Sequence, residues 1–193
     1  MALYTSNYLK NVSRNKTSNE RINLSEQRNI SHGSFDIFLC HSYLDKEEVE
    51  GLYLELTKTG FTVYVDWIVD PQLDRSNVTK ESAELVRRRL RTSKTLLLAI
   101  SANAALSKWM PWELGYVDGN TQLCALIPVA PGSSQITSFT RTEYLMLYPY
   151  VEKPNDLTRF RDKLWTVDGA NSYVEFDNWI RGRKPTYESL RFF

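Results

Sequence analysis

Histidine and cysteine are scarce in this chain of 193 residues, with two of each: His32 and His41, Cys40 and Cys124. Neither set has metal-ligand spacing, so no metal site is expected. Both cysteines sit inside apolar runs that read as strands, which suits buried, reduced thiols rather than a disulfide framework. Cys40 and His41 are adjacent, but neighbours on a strand point to opposite faces and cannot pair directly as nucleophile and base. The P-loop, the G-x-G-x-x-G turn and the G-x-S-x-G elbow are all missing. The net charge is only +1, which removes any global electrostatic case for nucleic acid or an acidic membrane as partner. No apolar run approaches the ~20 residues of a membrane helix. Met1 to Ser13 lacks the uninterrupted apolar segment of a secretory leader, so a cytoplasmic protein is expected. The basic run Arg87, Arg88, Arg89 and Arg91 has no aromatic residues interleaved with it. It reads as a solvated or acid-paired helix face, not as a nucleic-acid site.

Hydrophobic residues make up 42% of the chain and charged residues 24%, as expected of one globular domain with a real core. Residues 1–33 are rich in Asn, Ser, Lys and Arg and read as a polar N-terminal arm, a solvated tail with a short helix from about Thr5 to Val12. From Phe35 the pattern changes. Phe35–Cys40 is an almost continuous apolar run, as in a strand buried on both faces. Asp45 is placed to cap the next helix, where Val49, Leu52, Tyr53 and Leu56 form an apolar stripe opposite Glu47, Glu48, Glu50 and Glu55, and Gly60 ends it. Phe61–Val65 is the second strand, Ile68–Asn77 a polar loop, and Val78–Thr92 a helix. Thr95–Ile100 is the third strand. A helix opens near Trp109 or Pro111, and Leu123–Ile127 is the fourth strand. Tyr144–Tyr148 reads as a fifth strand. Asn155 or Asp156 caps a last helix carrying Leu157, Phe160 and Leu164. Residues 166–193 lie beyond this unit, and Trp179, Tyr187, Phe192 and Phe193 suggest that they pack on the domain or on a partner. Alternating strands and helices imply a parallel sheet covered on both faces, with ligands at the C-terminal strand ends.

One segment stands out. In Trp109-Met110-Pro111-Trp112-Glu113-Leu114-Gly115-Tyr116, the residues Trp109, Trp112, Glu113 and Tyr116 occupy i, i+3, i+4 and i+7 and share a helix face. A carboxylate among rings loses hydration, which costs free energy unless function or a partner offsets it. A core-facing tryptophan stripe with Glu113 at its polar edge would give the same pattern, and periodicity does not separate the two.

The ordered motifs resemble those of TIR (Toll/interleukin-1 receptor) domains, the bacterial NAD+-cleaving ones of anti-phage defence in particular. Phe35-Asp36-Ile37-Phe38-Leu39-Cys40-His41-Ser42 looks like the first box of that family, and Asp45-Lys46 like the pair that opens its first helix. Gly60-Phe61-Thr62-Val63-Tyr64-Val65-Asp66 is similar to the second strand, Leu90-Arg91-Thr92-Ser93-Lys94 to the entry into the third, Ser107-Lys108-Trp109-Met110-Pro111-Trp112-Glu113-Leu114 to the Ser-x-Trp-x-x-x-Glu-Leu box, and Ile127-Pro128-Val129 to the fourth strand. The likeness covers residues 34–165. It implies a flavodoxin-like α/β fold with a central five-stranded parallel sheet and helices on both faces. Tyr43, Trp67 and the absence of Gly-Asp in the loop at Ile68–Asn77 depart from the pattern and leave the pocket shape and the product open.

The resemblance further implies an enzyme that breaks the nicotinamide–ribose bond of NAD+, with NAD+ as substrate and no cofactor. Glu113 maps onto the catalytic glutamate and Trp109 onto the box tryptophan. His41, Ser42, Tyr43, Asp66 and Trp67 are the remaining candidates for substrate binding. The loop at Ile68–Asn77 would cover the substrate and mediate assembly. Expected partners are other TIR surfaces and a downstream effector that senses a cyclic ADP-ribose product, with no nucleic acid and no membrane. A non-catalytic TIR scaffold is the alternative, and it would not require Glu113. A nucleoside-cleaving deoxyribosyltransferase relative is a third reading.

Overall fold

The computed structural model describes residues 3–27, 33–75, 77–133, 143–153, 163–169 and 171–187. Five parallel strands form the centre of the sheet: β2 (Phe35–Cys40), β3 (Val63–Tyr64), β4 (Ser93–Ile100), β5 (Cys124–Ala130) and β6 (Tyr150–Glu152). They lie in the order β3-β2-β4-β5-β6. The pairings Ile37↔Val63, Leu39↔Leu97, Ala99↔Ile127 and Leu126↔Tyr150 are all parallel. This is the flavodoxin-like order. The apolar runs of β2, β4 and β5 are buried almost throughout because neighbours cover both faces. Asp36, the polar exception in β2, accepts hydrogen bonds from Thr62 and from Lys94 Nζ (2.7 Å). Cys40 and Cys124 are buried free thiols, as the sequence suggests.

The helix α3 (Lys46–Lys58) connects β2 to β3, and α5 (Lys80–Arg91) returns past β2 to β4. Right-handed crossovers in opposite directions put them on opposite faces of the sheet. The direction changes between β2 and β4, so a crevice is expected at their C-terminal ends. Two short helices lie close to that end: α4 (Asp66–Val69), a single turn whose second half falls in the segment read as loop, and α6 (Met110–Asp118). Asp45 does not bond to the backbone of α3 as a cap. Its carboxylate instead accepts from Ser101 Oγ (2.5 Å) and Asn103 Nδ2 (2.7 Å), tying the loop after β4 to the loop after β2.

Two sequence expectations are corrected here, on the N-terminal arm and on Tyr144–Tyr148, and the C-terminal residues pack on the domain as one reading of the sequence has it. The N-terminal arm is not a solvated tail. Within it, β1 (Tyr4–Thr5) pairs parallel with the end of β5 at Val129 and Ala130. The helix α1 (Ser6–Arg14) lies on α3, and α2 (Ser18–Gln27) follows. Leu9 is fully buried, and a Cβ on Gly51 would come within 2.2 Å of the Leu9 carbonyl oxygen. Charge complementarity explains the docking. Lys10 pairs with Glu48 (3.0 Å), Arg14 with Glu47 (2.8 Å) and Lys16 with Glu50, so the acids opposite the apolar stripe meet the cations of the arm.

The run Tyr144–Tyr148 is not a strand. Glu143–Leu147 forms a 3₁₀ turn with Tyr144, Met146 and Leu147 exposed, and the strand begins after Pro149 as β6. A short apolar run without alternation carries no period that distinguishes strand from turn. The C-terminal residues extend the sheet. The strands β7 (Trp165–Val167), β8 (Ser172–Glu175) and β9 (Thr186–Tyr187) continue it antiparallel from β6. The turn α7 (Phe176–Trp179) packs on the core, with the Phe176 ring 5.1 Å from that of Phe61. Most of the helix expected from Asn155 lies outside the described residues, as do Phe192 and Phe193; Leu164 itself is buried.

Candidate active site

The crevice at the β2–β4 switch point opens into a cleft of about 700 Å³ lined by His41, Ser42, Tyr43, Asp66, Trp67, Arg75 and Trp109 among others. That volume is in the range of sites for small organic ligands. The strand β2 ends at Cys40, which delivers His41 and Ser42 to the floor, both 3% exposed. His41 Nδ1 donates to the Leu39 carbonyl (2.8 Å), so Nε2 is the atom turned to Asp66 Oδ1, 3.3 Å away. Ser42 Oγ accepts from the Leu44 amide at 3.4 Å and shapes the turn that follows. Tyr43 stands half-exposed at the mouth with Lys46 Nζ 4.1 Å from its ring centre.

Asp66 begins α4 directly after β3 and is buried. Its Oδ1 also accepts from the Trp67 amide (2.7 Å), and its Oδ2 is ion-paired with Arg75 Nε. Burial alone would raise this carboxyl, but His41 and Arg75 outweigh it and hold Asp66 well below the usual carboxylate range. The Trp67 indole nitrogen is buried with no hydrogen-bond partner among the described residues.

Glu113 lies in the first turn of α6 with 0% exposure. Ser107 Oγ accepts from the Met110 amide (3.3 Å) and Pro111 occupies the first turn, which together fix where this helix begins. Glu113 Oε1 is 2.6 Å from Arg75 Nη1, and Oε2 has no partner among the described residues. Burial pushes the Cys40 thiol well up, and neighbouring Glu113 adds to the shift. Trp109 Nε1 donates to the Arg75 carbonyl (3.1 Å), and the Arg75 guanidinium lies 5.6 Å from a Trp109 ring centre.

The aromatic stripe therefore divides. Trp109 borders the cleft, whereas Trp112 and Tyr116 turn towards α5, where Arg87 lies 5.4 Å from the Trp112 ring and Arg91 bonds the Tyr116 hydroxyl at 3.5 Å. The basic run of α5 pairs with acids as the sequence suggests: Arg87 and Arg91 reach Glu84, and Arg89 reaches Asp70.

All seven residues singled out from the sequence meet here. Six of them line the cleft, and Glu113 lies behind Arg75, which does line it. Arg75 is the residue that sequence reasoning missed. The local signal was a single cation in the loop at Ile68–Asn77, but its partner is 38 positions away. Chemically, the site offers two buried carboxylates, an imidazole, a guanidinium and three aromatic faces beside a cleft. Such a set can bind a ring-bearing cation and stabilise positive charge that develops on it.

A family model described as TIR domain matches residues 37–159. The chain is 46% identical over 147 residues to a protein of Bacillus cereus (strain MSX-D12) that carries the provisional name 3′ cyclic ADP-D-ribose synthase ThsB′, covering 76% of each chain. It is 25% identical over 135 residues to a Cytobacillus dafuensis protein provisionally named cyclic ADP-D-ribose synthase TIR2, covering 68% of this chain but only 32% of that protein. Among solved structures, the TIR domain of a Toll-related receptor from Hydra magnipapillata aligns with a TM-score of 0.41 and 16% identity, over 59% of this chain and 79% of the other.

Proposed function

The chain belongs to the TIR domain family, and from that premise we propose that it cleaves the nicotinamide–ribose bond of NAD+ and makes a cyclic ADP-ribose signal in antiviral defence. The observation that carries this reading is Glu113, a carboxylate with no exposure and one oxygen without a partner among the described residues, behind a cleft of ligand size. A buried, incompletely satisfied carboxylate is costly to a fold and suits a site that needs negative charge at one point. The Bacillus cereus relative supports the same activity and a cyclic product.

NAD+ carries a good leaving group. When the C1′–N bond breaks, its electron pair passes to the pyridinium nitrogen and nicotinamide departs neutral. The ribose is left with oxocarbenium character. Glu113 stabilises that developing charge and hydrogen-bonds the neighbouring ribose hydroxyls. Trp109, with Tyr43 and Trp67, stacks on the rings. Ser42 bonds the ribose or phosphates, and His41, held by the Leu39 carbonyl through Nδ1 and by Asp66 through Nε2, shapes the floor beside it. An acceptor oxygen then attacks C1′ and releases its proton. Water in that role would give ADP-ribose, and a nucleophile of the substrate itself would give a cyclic product. A cleft floored by buried side chains limits water and favours the second. NAD+ is the substrate, and no separate cofactor is invoked.

Apolar residues exposed around the mouth, Tyr43, Leu44, Val78 and Leu106, support self-association of the TIR type. The remaining partner is an effector that binds the product. The test is to incubate the purified chain at high concentration with NAD+ and resolve nicotinamide, ADP-ribose and cyclic isomers by mass spectrometry. Nicotinamide with a cyclic isomer in excess supports the whole reading. Nicotinamide with ADP-ribose alone removes the cyclisation. NAD+ left intact under conditions that assemble the chain returns it to the scaffold alternative.

A further inference from the structure

Asp45 is a buried carboxylate that does not line the cleft, yet it ties together two stretches of chain that do. Its Oδ2 accepts from Ser101 Oγ (2.5 Å) and its Oδ1 from Asn103 Nδ2 (2.7 Å), both in the loop after β4. Ser101 Oγ also accepts from the Asn103 amide (3.2 Å), which closes the network. That loop goes on through the turn Ala104–Leu106 and supplies residues 106–109 to the lining. On its own side, Asp45 donates its backbone amide to the Ser42 carbonyl (3.1 Å) and so fixes the turn that presents residues 42–44. Core packing does little to hold the loop after β4. None of residues 101–109 is buried, and only Ala104 and Trp109 of them pack against the core. The far end is tied by Trp109 Nε1 to the Arg75 carbonyl, and the near half depends on Asp45.

We propose that Asp45 is a positioning residue for the dinucleotide: without touching the ligand, its carboxylate holds residues 42–44 and 106–109 at the spacing that binds NAD+. The inference rests on the function proposed above.

A preorganised cleft spares the ligand the free energy of ordering its walls. When the bridge is cut, that ordering has to occur at binding, and its cost appears as weaker binding. Chemistry suffers less, since Glu113 is carried by α6, which Met110, Leu114 and Val117 anchor in the core independently of the bridge. Losing ground-state and transition-state binding alike raises KM and leaves kcat nearly unchanged. The bridge is also separable from negative charge, because both side-chain donors are neutral. In Asp45→Asn the new amide oxygen can accept from Ser101, and its nitrogen can donate to Asn103 once that side chain turns its amide over. An alanine restores neither bond.

The test measures KM and kcat for NAD+ per folded molecule, and the dissociation constant of an uncleaved carbocyclic NAD+ analogue. Asp45→Ala should raise KM and the dissociation constant about tenfold, with kcat within about threefold of wild type. Asn103→Ala cuts half of the bridge from the other loop. It should raise both constants about threefold, and it decides the matter if Asp45→Ala fails to fold. Asp45→Asn should stay within about twofold of wild type. Gly51→Ala, outside the cleft, separates positioning from stability: it should lower the melting temperature and leave both constants unchanged. Unchanged constants in Asp45→Ala (or in Asn103→Ala where the first does not fold), an equal rise in Gly51→Ala, or no rescue by Asp45→Asn would overturn the proposal. Wild-type protein that cleaves NAD+ while the variants bind as it does overturns this proposal alone. Wild-type protein that binds the analogue but leaves NAD+ intact overturns the proposed function, and the dissociation constants still decide the role of Asp45. Wild-type protein that does neither overturns both.

Discussion

Asp66 and Asp70 bracket the same short helix, α4, and each meets a buried arginine. Asp70 is the saturated case. Arg89 grips it with two bonds, Nε to Oδ2 at 2.8 Å and Nη2 to Oδ1 at 2.7 Å, and the Tyr64 hydroxyl adds a third at 2.9 Å. Asp66 is the open case. It divides Arg75 with Glu113, and among the described residues the cluster retains an oxygen on Glu113 and a nitrogen on Arg75 without partners. Taking a charge out of water costs several kcal/mol, and only geometry that satisfies both partners offsets it within the fold. The Asp70–Arg89 pair does so, and it clamps the start of the loop at Ile68–Asn77 to α5. The Asp66–Arg75–Glu113 group leaves hydrogen-bonding capacity unused beside a cleft, where a ligand can use it. The degree of satisfaction, more than burial or charge, separates the structural cluster from the proposed functional one.

The comparison can be broken most sharply at Glu113. Glu113→Ala should lower NAD+ cleavage by about 10³-fold or more, the scale of losing a group that acts on transition-state charge. Its melting temperature should change far less than that of a variant in the saturated cluster. Asp70→Ala tests the other half. Removing the Asp70 carboxylate from buried Arg89 should cost about 3 kcal/mol in urea unfolding, while cleavage per folded molecule falls much less than in Glu113→Ala. Equal loss of activity in both variants would erase the distinction.

Gly51→Ala touches neither cluster. Its new Cβ would collide with the Leu9 backbone and should cost about 2 kcal/mol by displacing α1, with cleavage per folded molecule unchanged. The smallest effect concerns acid. The Asp66 carboxyl is held below its unfolded value, so its contribution is present above pH of about 4 and is lost as pH falls towards the depressed value. Asp66→Asn should therefore show a shallower decline in melting temperature below that pH than wild type. An identical acid limb would mean that Asp66 is not held by His41 and Arg75 as the distances imply.

Much of the sheet was legible because it rests on local periodicity. The apolar runs of β2, β4 and β5 and the stripe Val49, Leu52, Tyr53 and Leu56 state their burial directly. Glu113 was legible as a carboxylate at the start of a helix that follows a strand. What was not legible depends on distant pairing. Arg75 looks like a solvated loop cation until the loop folds back on α6. The arm looks solvated because its anchors are few and scattered, Leu9 being seated on a glycine 42 positions later, and because its cations find their acids on another helix. The shared helix face of Trp109, Trp112 and Tyr116 likewise hid that α5 takes the last two and leaves Trp109 to the cleft.

The most direct test reads both clusters in one assay: nicotinamide released from NAD+ per folded molecule, at equal high concentration, by wild type, Glu113→Gln and Asp70→Asn. The expected result is release by wild type, release within about tenfold of it by Asp70→Asn, and loss of about 10³-fold or more in Glu113→Gln. Release at the wild-type rate by folded Glu113→Gln would contradict the assignment of the reaction to the open cluster.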